Sequence, residues 1–384
     1  MKCVVAIDSF KGSLTSLQAG SAAAEGISRV YPEAQVEVFP IADGGEGTVI
    51  ALTTALNGTL QSVDALDPLG RPIQCEYGIL PGQTAVIEMS CAAGITLLTA
   101  EERNPMNTTT YGVGQVIADA ISKGCRDFIV GIGGSATNDG GIGMLQALGF
   151  GILDENGAQV ALGGAGLEKI ASITAENALP ALKECTFRIA CDVTNPLCGK
   201  SGCSAIYGPQ KGATPAQIEK MDGWLNRYAD TVKTVFPNSD KNMPGAGAAG
   251  GIGFAFFSFL NGKPYSGIDL ILGEMPIEEK IRNADLVITG EGRLDAQTVM
   301  GKAPIGIARI AKKYGKPVIA FSGCTTPETG VCNQHGIDAF FPIVKGACTL
   351  EYAMAVENAY PNMADTAEQA LRLLKLAKEF SYEK

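Results

Sequence analysis

The stretch CVVAIDSFKGSLTSLQAGSAAAEGISRV, residues 3–30, decides the fold. Cys3–Ile7 is an apolar run without polar alternation, the pattern of a strand covered on both faces. It runs into Asp8-Ser9-Phe10-Lys11-Gly12-Ser13, and helical periodicity then holds from Ser16 to Val30. The pattern repeats at once: QVEVFP (35–40) is a strand, ADGGEGT (42–48) a loop, and Gly47–Leu56 a helix. It returns at the other end of the chain. There Ala284–Ile288 reads as a strand, Ile305–Tyr314 as a helix, Pro317–Phe321 as a strand and Ala364–Glu379 as a closing helix. Apolar strands alternating with helices predict α/β architecture, a doubly wound, Rossmann-like parallel sheet.

The middle of the chain has a different pattern. After the turn DPLGRP (67–72), IQCEYGIL and TAVIEM form two β-like runs joined by Pro81-Gly82, an antiparallel hairpin. Glycine-dense loops follow at 131–141 and 245–253. The 384 residues exceed what one core comfortably serves. The expectation is a discontinuous Rossmann-like domain, residues 1–66 and 274–384, with a mixed α/β domain, 67–273, inserted into it.

A formal net charge of −10 excludes a nucleic-acid or anionic-membrane partner that needs a basic face. The apolar stretch before Asp8 is too short for a signal peptide, and GFAFFSFLNG is too short to span a bilayer, so a cytoplasmic protein is expected. The eleven cysteines are scattered through apolar runs with no C-x-x-C pair, which reads as reduced structural thiols.

Three glycine motifs carry less than they promise. GAGAAG (245–250) matches a dinucleotide fingerprint but follows FPNSDKNMP, which is no core strand. In FIVGIGGSATNDGG the strand Phe128–Val130 does lead into the glycines, yet the helix starts only near Gly140, too late for that fingerprint. TNPLCGKS (194–201) ends like a P-loop but has Thr194 in place of its first glycine. More informative are the three loops DSFKGS, ADGGEGT and TGEGRLDAQ (289–297), each expected at the carboxyl end of a parallel strand, where ligands bind. Acids, glycines and hydroxyls there, with Lys11 and Arg293, describe a site for a polyanion and its divalent cation. Without a usable His or Cys, that combination indicates phosphoryl transfer, with Asp8 or Asp192 as proton acceptor.

DSFKGSL, ADGGEGT, GIGGSATNDGG, ACDVTNPL, GPQKGAT, GAGAAGGIG, TGEGRLDAQT and GKAPIGIA resemble, in this order, the bacterial type I glycerate kinase family. The resemblance implies transfer of the γ-phosphoryl group of ATP to D-glycerate, giving 2-phosphoglycerate or 3-phosphoglycerate. It also implies Mg2+ and a two-domain fold with the active-site cleft between the domains. The family pattern has proline before the first aspartate and glutamate after the first lysine, where this chain has Ile7 and Gly12.

From their chemistry, Asp8, Lys11, Asp192 and Arg293 are the catalytic candidates. Ser9, Ser13, Gly44, Gly45, Gly47, Thr48, Gly133, Gly134, Ser135, Asn138, Asn195 and Gly290 are candidates for holding substrate or nucleotide. Asp43, Glu46, Glu291 and Asp295 are the candidates for metal. Two other readings compete: an NAD-dependent hydroxy-acid dehydrogenase and a non-catalytic sensor of a small acid. Monomer and homodimer are both open.

Overall fold

In the computed structural model, which describes residues 1–381, the chain forms two compact units, Met1–Asp43 with Ile268–Lys384, and Gly44–Gly267. The first boundary therefore falls at 43/44 and the second at 267/268, where the sequence pointed to 66/67 and 273/274. The physical reason is a strand that composition hides. Thr59–Leu66 pairs antiparallel with Pro72–Leu80, and the helix Thr48–Ala55 packs on that second sheet.

The first unit is built on a five-stranded parallel sheet. Its order across the sheet is Ala339–Pro342, Val318–Thr325, Leu286–Leu294, Lys2–Ile7, Gln35–Val38. Cys3, Val5 and Ile7 join Leu286, Ile288, Ile319 and Phe321 in a core closed by the helices Ser16–Val30 and Val356–Ser381. Val4 and Ala6, which alternation turns to the opposite face, are buried as well. Ser16–Val30 starts with a capping box between Thr15 and Gln18, so the predicted limits of this helix hold. The closing helix starts at Val356, ahead of the expected Ala364.

Chain order fixes where a ligand can bind. From the Lys2–Ile7 strand the chain moves outward to Gln35–Val38, and it later returns on the other side as Leu286–Leu294. The switch point of this doubly wound sheet lies between Ile7 and Gly290, and the crevice opens beyond their carboxyl ends. One expected loop is largely strand here: the Leu286–Leu294 strand continues through Thr289–Leu294, paired to Val318–Thr325.

The second unit holds a six-stranded mixed sheet. Its hairpin, Pro72–Leu80 with Thr84–Glu88, is antiparallel as expected, and Thr84–Glu88, Asp127–Gly131, Thr186–Ala190 and Lys263–Tyr265 run parallel. The glycines of 245–250 serve packing. Ala249, Gly250 and Gly251 are left-handed, and a Cβ on Gly250 would lie 2.0 Å from the Thr137 carbonyl oxygen. All eleven cysteines are free thiols. Among the described residues no helix is long and apolar enough to cross a membrane.

Candidate active site

Three acids gather at the switch point of the first unit. Asp8 follows the Lys2–Ile7 strand and is 4 % exposed; its N–H donates to the Gly290 carbonyl oxygen at 2.9 Å, and its Oδ1 accepts from Ser9 N–H at 2.6 Å. Glu291, 7 % exposed, is one residue beyond Gly290 on the neighbouring strand. Asp43 lies in the loop after Gln35–Val38, and its charge reaches both Asp8 and Glu291. Ser16 ties two of these loops together: its hydroxyl donates to the Ile7 carbonyl oxygen at 2.5 Å and accepts from Ile41 N–H at 2.8 Å.

Crowding these acids away from water changes their chemistry. Burial first, then the Asp43 charge, raises the Asp8 carboxyl from 3.8 to about 7, against the lowering pull of Ser9 N–H and Lys11. Burial also raises Glu291, opposed by the Thr298 hydroxyl, which donates to Oε1 at 2.6 Å, and by Lys302, whose Nζ lies 3.5 Å from Oε2. The hydroxyls of Ser13, Thr289 and Ser322, the last opposite Glu291 on the next strand, are buried without a hydrogen-bond partner. Lys11 is exposed.

The other candidates of this unit do different work. Asp295 Oδ1 accepts from Gln297 N–H at 2.8 Å and its Oδ2 lies 3.5 Å from the exposed Arg293 Nε, so this acid closes a turn. Gly290 is a strand residue that only glycine fits, since a Cβ would lie 2.1 Å from the Phe321 carbonyl oxygen.

In the second unit, Gly44, Gly45, Gly47 and Thr48 surround the start of the helix Thr48–Ala55, but its free N–H groups already have an anion. Glu88 Oε1 accepts from Val49 N–H at 2.8 Å, and the carboxylate also draws on the N–H groups of Gly47 and Thr48. Glu46 is exposed. Asp192 is exposed too, with Oδ1 accepting from Gly267 N–H at 2.9 Å. Asn195 braces its own loop through the Ser201 carbonyl oxygen and the Tyr207 hydroxyl, and Asn138 is fully buried against Ser204. Gly133 and Gly134 are exposed, and Ser135 is next to them.

Residues 3–375 match the model of the glycerate kinase family. The chain belongs to that family. It is 46 % identical to glycerate 2-kinase of Escherichia coli K12 over 94 % of this chain and 95 % of that one. It is 44 % identical to glycerate kinase of Bacillus subtilis 168 over 98 % and 99 % of the two chains. The crystal structure of the Salmonella typhimurium LT2 protein assigned as glycerate kinase 2 superposes with a TM-score of 0.89 at 43 % identity, covering 99 % of each chain. This glycerate kinase family member is thus an ATP-dependent kinase with the α/β fold read from its sequence.

Four residues of this kinase escaped sequence reasoning: Glu88, Lys211, Thr298 and Lys302. Glu88 ends a strand without loop composition, and Thr298, Lys302 and Lys211 acquire their partners only through folding. Lys211 and Lys302 both lie in strings that carry the family resemblance, GPQKGAT and GKAPIGIA, and that was the available signal.

Proposed function

We propose that the protein transfers the γ-phosphoryl group of ATP to the 2-hydroxyl of D-glycerate, giving 2-phosphoglycerate and ADP. The carrying observation is the buried Asp8 beside Glu291 at the switch point of the parallel sheet. Asp8 Oδ2, the oxygen not engaged by Ser9 N–H, takes up the proton of the attacking hydroxyl. A carboxyl raised to about 7 suits that role near neutral pH, because it is part ionised and holds a proton well once it has one. Lys11, the exposed cation of the same loop, orients the carboxylate of glycerate or a phosphate oxygen. The 2-position follows the Escherichia coli relative, which is named a 2-kinase.

Magnesium fits the acids of this edge. Asp43 and Glu291 supply the hard oxygen donors it prefers, and Asp8 and Glu291 are both acids whose ionisation is held back by burial and by neighbouring negative charge. Among the described residues no group of three or more His, Cys, Asp or Glu forms a ready metal cage. Magnesium commonly keeps several waters and is held by one or two carboxylates together with substrate phosphates. When bound, the ion neutralises charge on the transferred group. Of the other metal candidates, Glu46 is left to solvent and Asp295 to its turn.

The test is ADP release on mixing protein, magnesium, ATP and D-glycerate, followed by phosphorus NMR of the product. Phosphate on the 2-oxygen couples to one methine proton and gives a doublet; phosphate on the 3-oxygen couples to a methylene pair and gives a triplet. A triplet overturns the position, and no ADP release overturns the reaction.

A further inference from the structure

The loop that follows the Asp127–Gly131 strand has a cation built beneath it. Lys211, at the end of the short turn Pro209–Lys211, is 2 % exposed; its ammonium donates to Ser135 Oγ at 2.7 Å and to the Thr137 carbonyl oxygen at 2.6 Å. Both acceptors are neutral. Among the described residues no carboxylate forms an ion pair with Lys211, and the nearby Asp139 carboxylate is committed to Thr110, Gly141 and Gly143. Burying an ammonium on neutral oxygens costs several kcal/mol, and a neutral donor would pin the same two oxygens at lower cost. The charge itself therefore needs an explanation.

The other side of the loop supplies one. Gly133 and Gly134 are exposed, and Gly134 has φ +73. The N–H groups of Gly133, Gly134 and Ser135 donate to no protein acceptor among the described residues, whereas the Ala136 N–H is spent on Ala93. Successive free amides around a left-handed residue are the make-up of an anion-binding nest. Because Ser135 Oγ accepts from Lys211, its own proton is free to be donated outward. Behind the loop, Thr137 Oγ1, Asn138 Oδ1 and Tyr228 OH are buried without partners, so this pocket of the core has unused polar capacity around its lysine. The loop from Gly131 to Asn138 carries no acid, in contrast to the edge of the first unit, where Asp8, Asp43 and Glu291 call for a cation beside any phosphate.

We propose that Gly133, Gly134 and Ser135 form the cradle for the phosphates of the nucleotide, and that Lys211 is the positioning residue whose buried charge sets the loop and its potential. The assignment rests on the reading of the protein as an ATP-dependent phosphotransferase, but not on glycerate as its acceptor. Burial lowers the Lys211 ammonium from 10.5 to about 8, against the raising pull of Cys203 and Asp139, and a further anion in the cradle would raise it again.

Calorimetric titration of ADP into the wild-type protein, Lys211→Met and Ser135→Ala tests this, with D-glycerate KM measured on the same samples. Lys211→Met should weaken ADP about tenfold or more, and Ser135→Ala severalfold, while the KM for D-glycerate stays within about twofold. A purely structural lysine would lower the melting temperature and leave the ADP affinity of the folded protein unchanged, which overturns the proposal. Loss of glycerate affinity with ADP retained assigns the cradle to a carboxylate and also overturns it. If Lys211→Met does not fold, Ser135→Ala decides alone: unchanged ADP affinity in that variant ends the proposal. ADP binding is measured without glycerate, so a failure of the glycerate reading leaves this result standing.

Discussion

Asp8, just past the end of the Lys2–Ile7 strand, and Glu291, on the neighbouring parallel strand, each stand one residue past the register pair Ile7–Gly290, with the Asp8 N–H bound to the Gly290 carbonyl oxygen at 2.9 Å. Close approach of the two strands at this point depends on Gly290, where any side chain would strike the Phe321 backbone. Both carboxyls resist ionisation, first because they are buried and then because the Asp43 charge bears on each.

The first consequence is a trade between stability and activity at Asp8. Its folded carboxyl, raised from 3.8 to about 7, holds a proton more tightly than in the unfolded chain. The stability this contributes is complete below the unfolded value and is lost as pH rises through about 7. Without metal, the protein should therefore be held less firmly at pH 8 than at pH 5 by this group. Asp8→Asn should flatten that dependence and melt higher than wild type at pH 8, while turnover falls about 10²- to 10⁴-fold. Thermal melts at both pH values and one kinetic series check both halves. A variant no more stable than wild type at pH 8 would show that the carboxyl is not strained.

Lys11 should act on the same proton. Its charge lowers the Asp8 carboxyl, so Lys11→Met should push that carboxyl higher and move the acidic limb of the kcat/KM profile to higher pH. Losing a charge-assisted contact to substrate should also reduce turnover about a hundredfold. A pH profile that does not move would separate Lys11 from Asp8.

Thr298 is expected to matter through Glu291. Its hydroxyl is buried and donates to Oε1 at 2.6 Å, so Thr298→Val leaves a buried carboxylate short of one donor at a cost of about 1–3 kcal/mol. If Glu291 holds magnesium, the magnesium concentration for half-maximal rate should change in Thr298→Val, rise in Glu291→Gln, and return toward wild type in Thr298→Ser. Identical magnesium dependence in all three would reduce the pair to a structural contact.

How much of this was readable depended on whether a residue's role is local. Cys3–Ile7 declares a doubly covered strand by composition alone, and Thr15 with Gln18 marks the following helix. Thr289–Leu294 reads as loop because glycines and charges dominate it. It remains strand because Glu291, Arg293 and Leu294 pair with Ser322, Cys324 and Thr325 of the next strand, a tertiary effect that overrides propensity. Thr59–Leu66 is an edge strand, largely exposed, and carries little apolar signal. Asp8, Asp43 and Glu291 were legible as acids at strand ends. Lys211 was not, since its acceptors Ser135 and Thr137 lie far from it in sequence.

The last prediction concerns Glu88, which fills the place where sequence reasoning expected an anionic ligand. Its carboxylate accepts the Val49 N–H at 2.8 Å and also draws on the N–H groups of Gly47 and Thr48, at the start of the Thr48–Ala55 helix. Gly47 at the N-cap has φ +95 and no side chain to do this itself, so the cap comes from another strand. Glu88→Ala should then cost about 1–2 kcal/mol, the usual range for a lost cap together with its favourable charge at a helix start. The same change leaves an open, positively polarised helix terminus. Inorganic phosphate should therefore recover part of the lost melting temperature in Glu88→Ala and do less for wild type at this terminus, when compared with chloride at equal ionic strength. Equal phosphate effects on the two proteins would mean that Glu88 does not occupy an anion site, and that the glycines of residues 44–47 serve the turn alone.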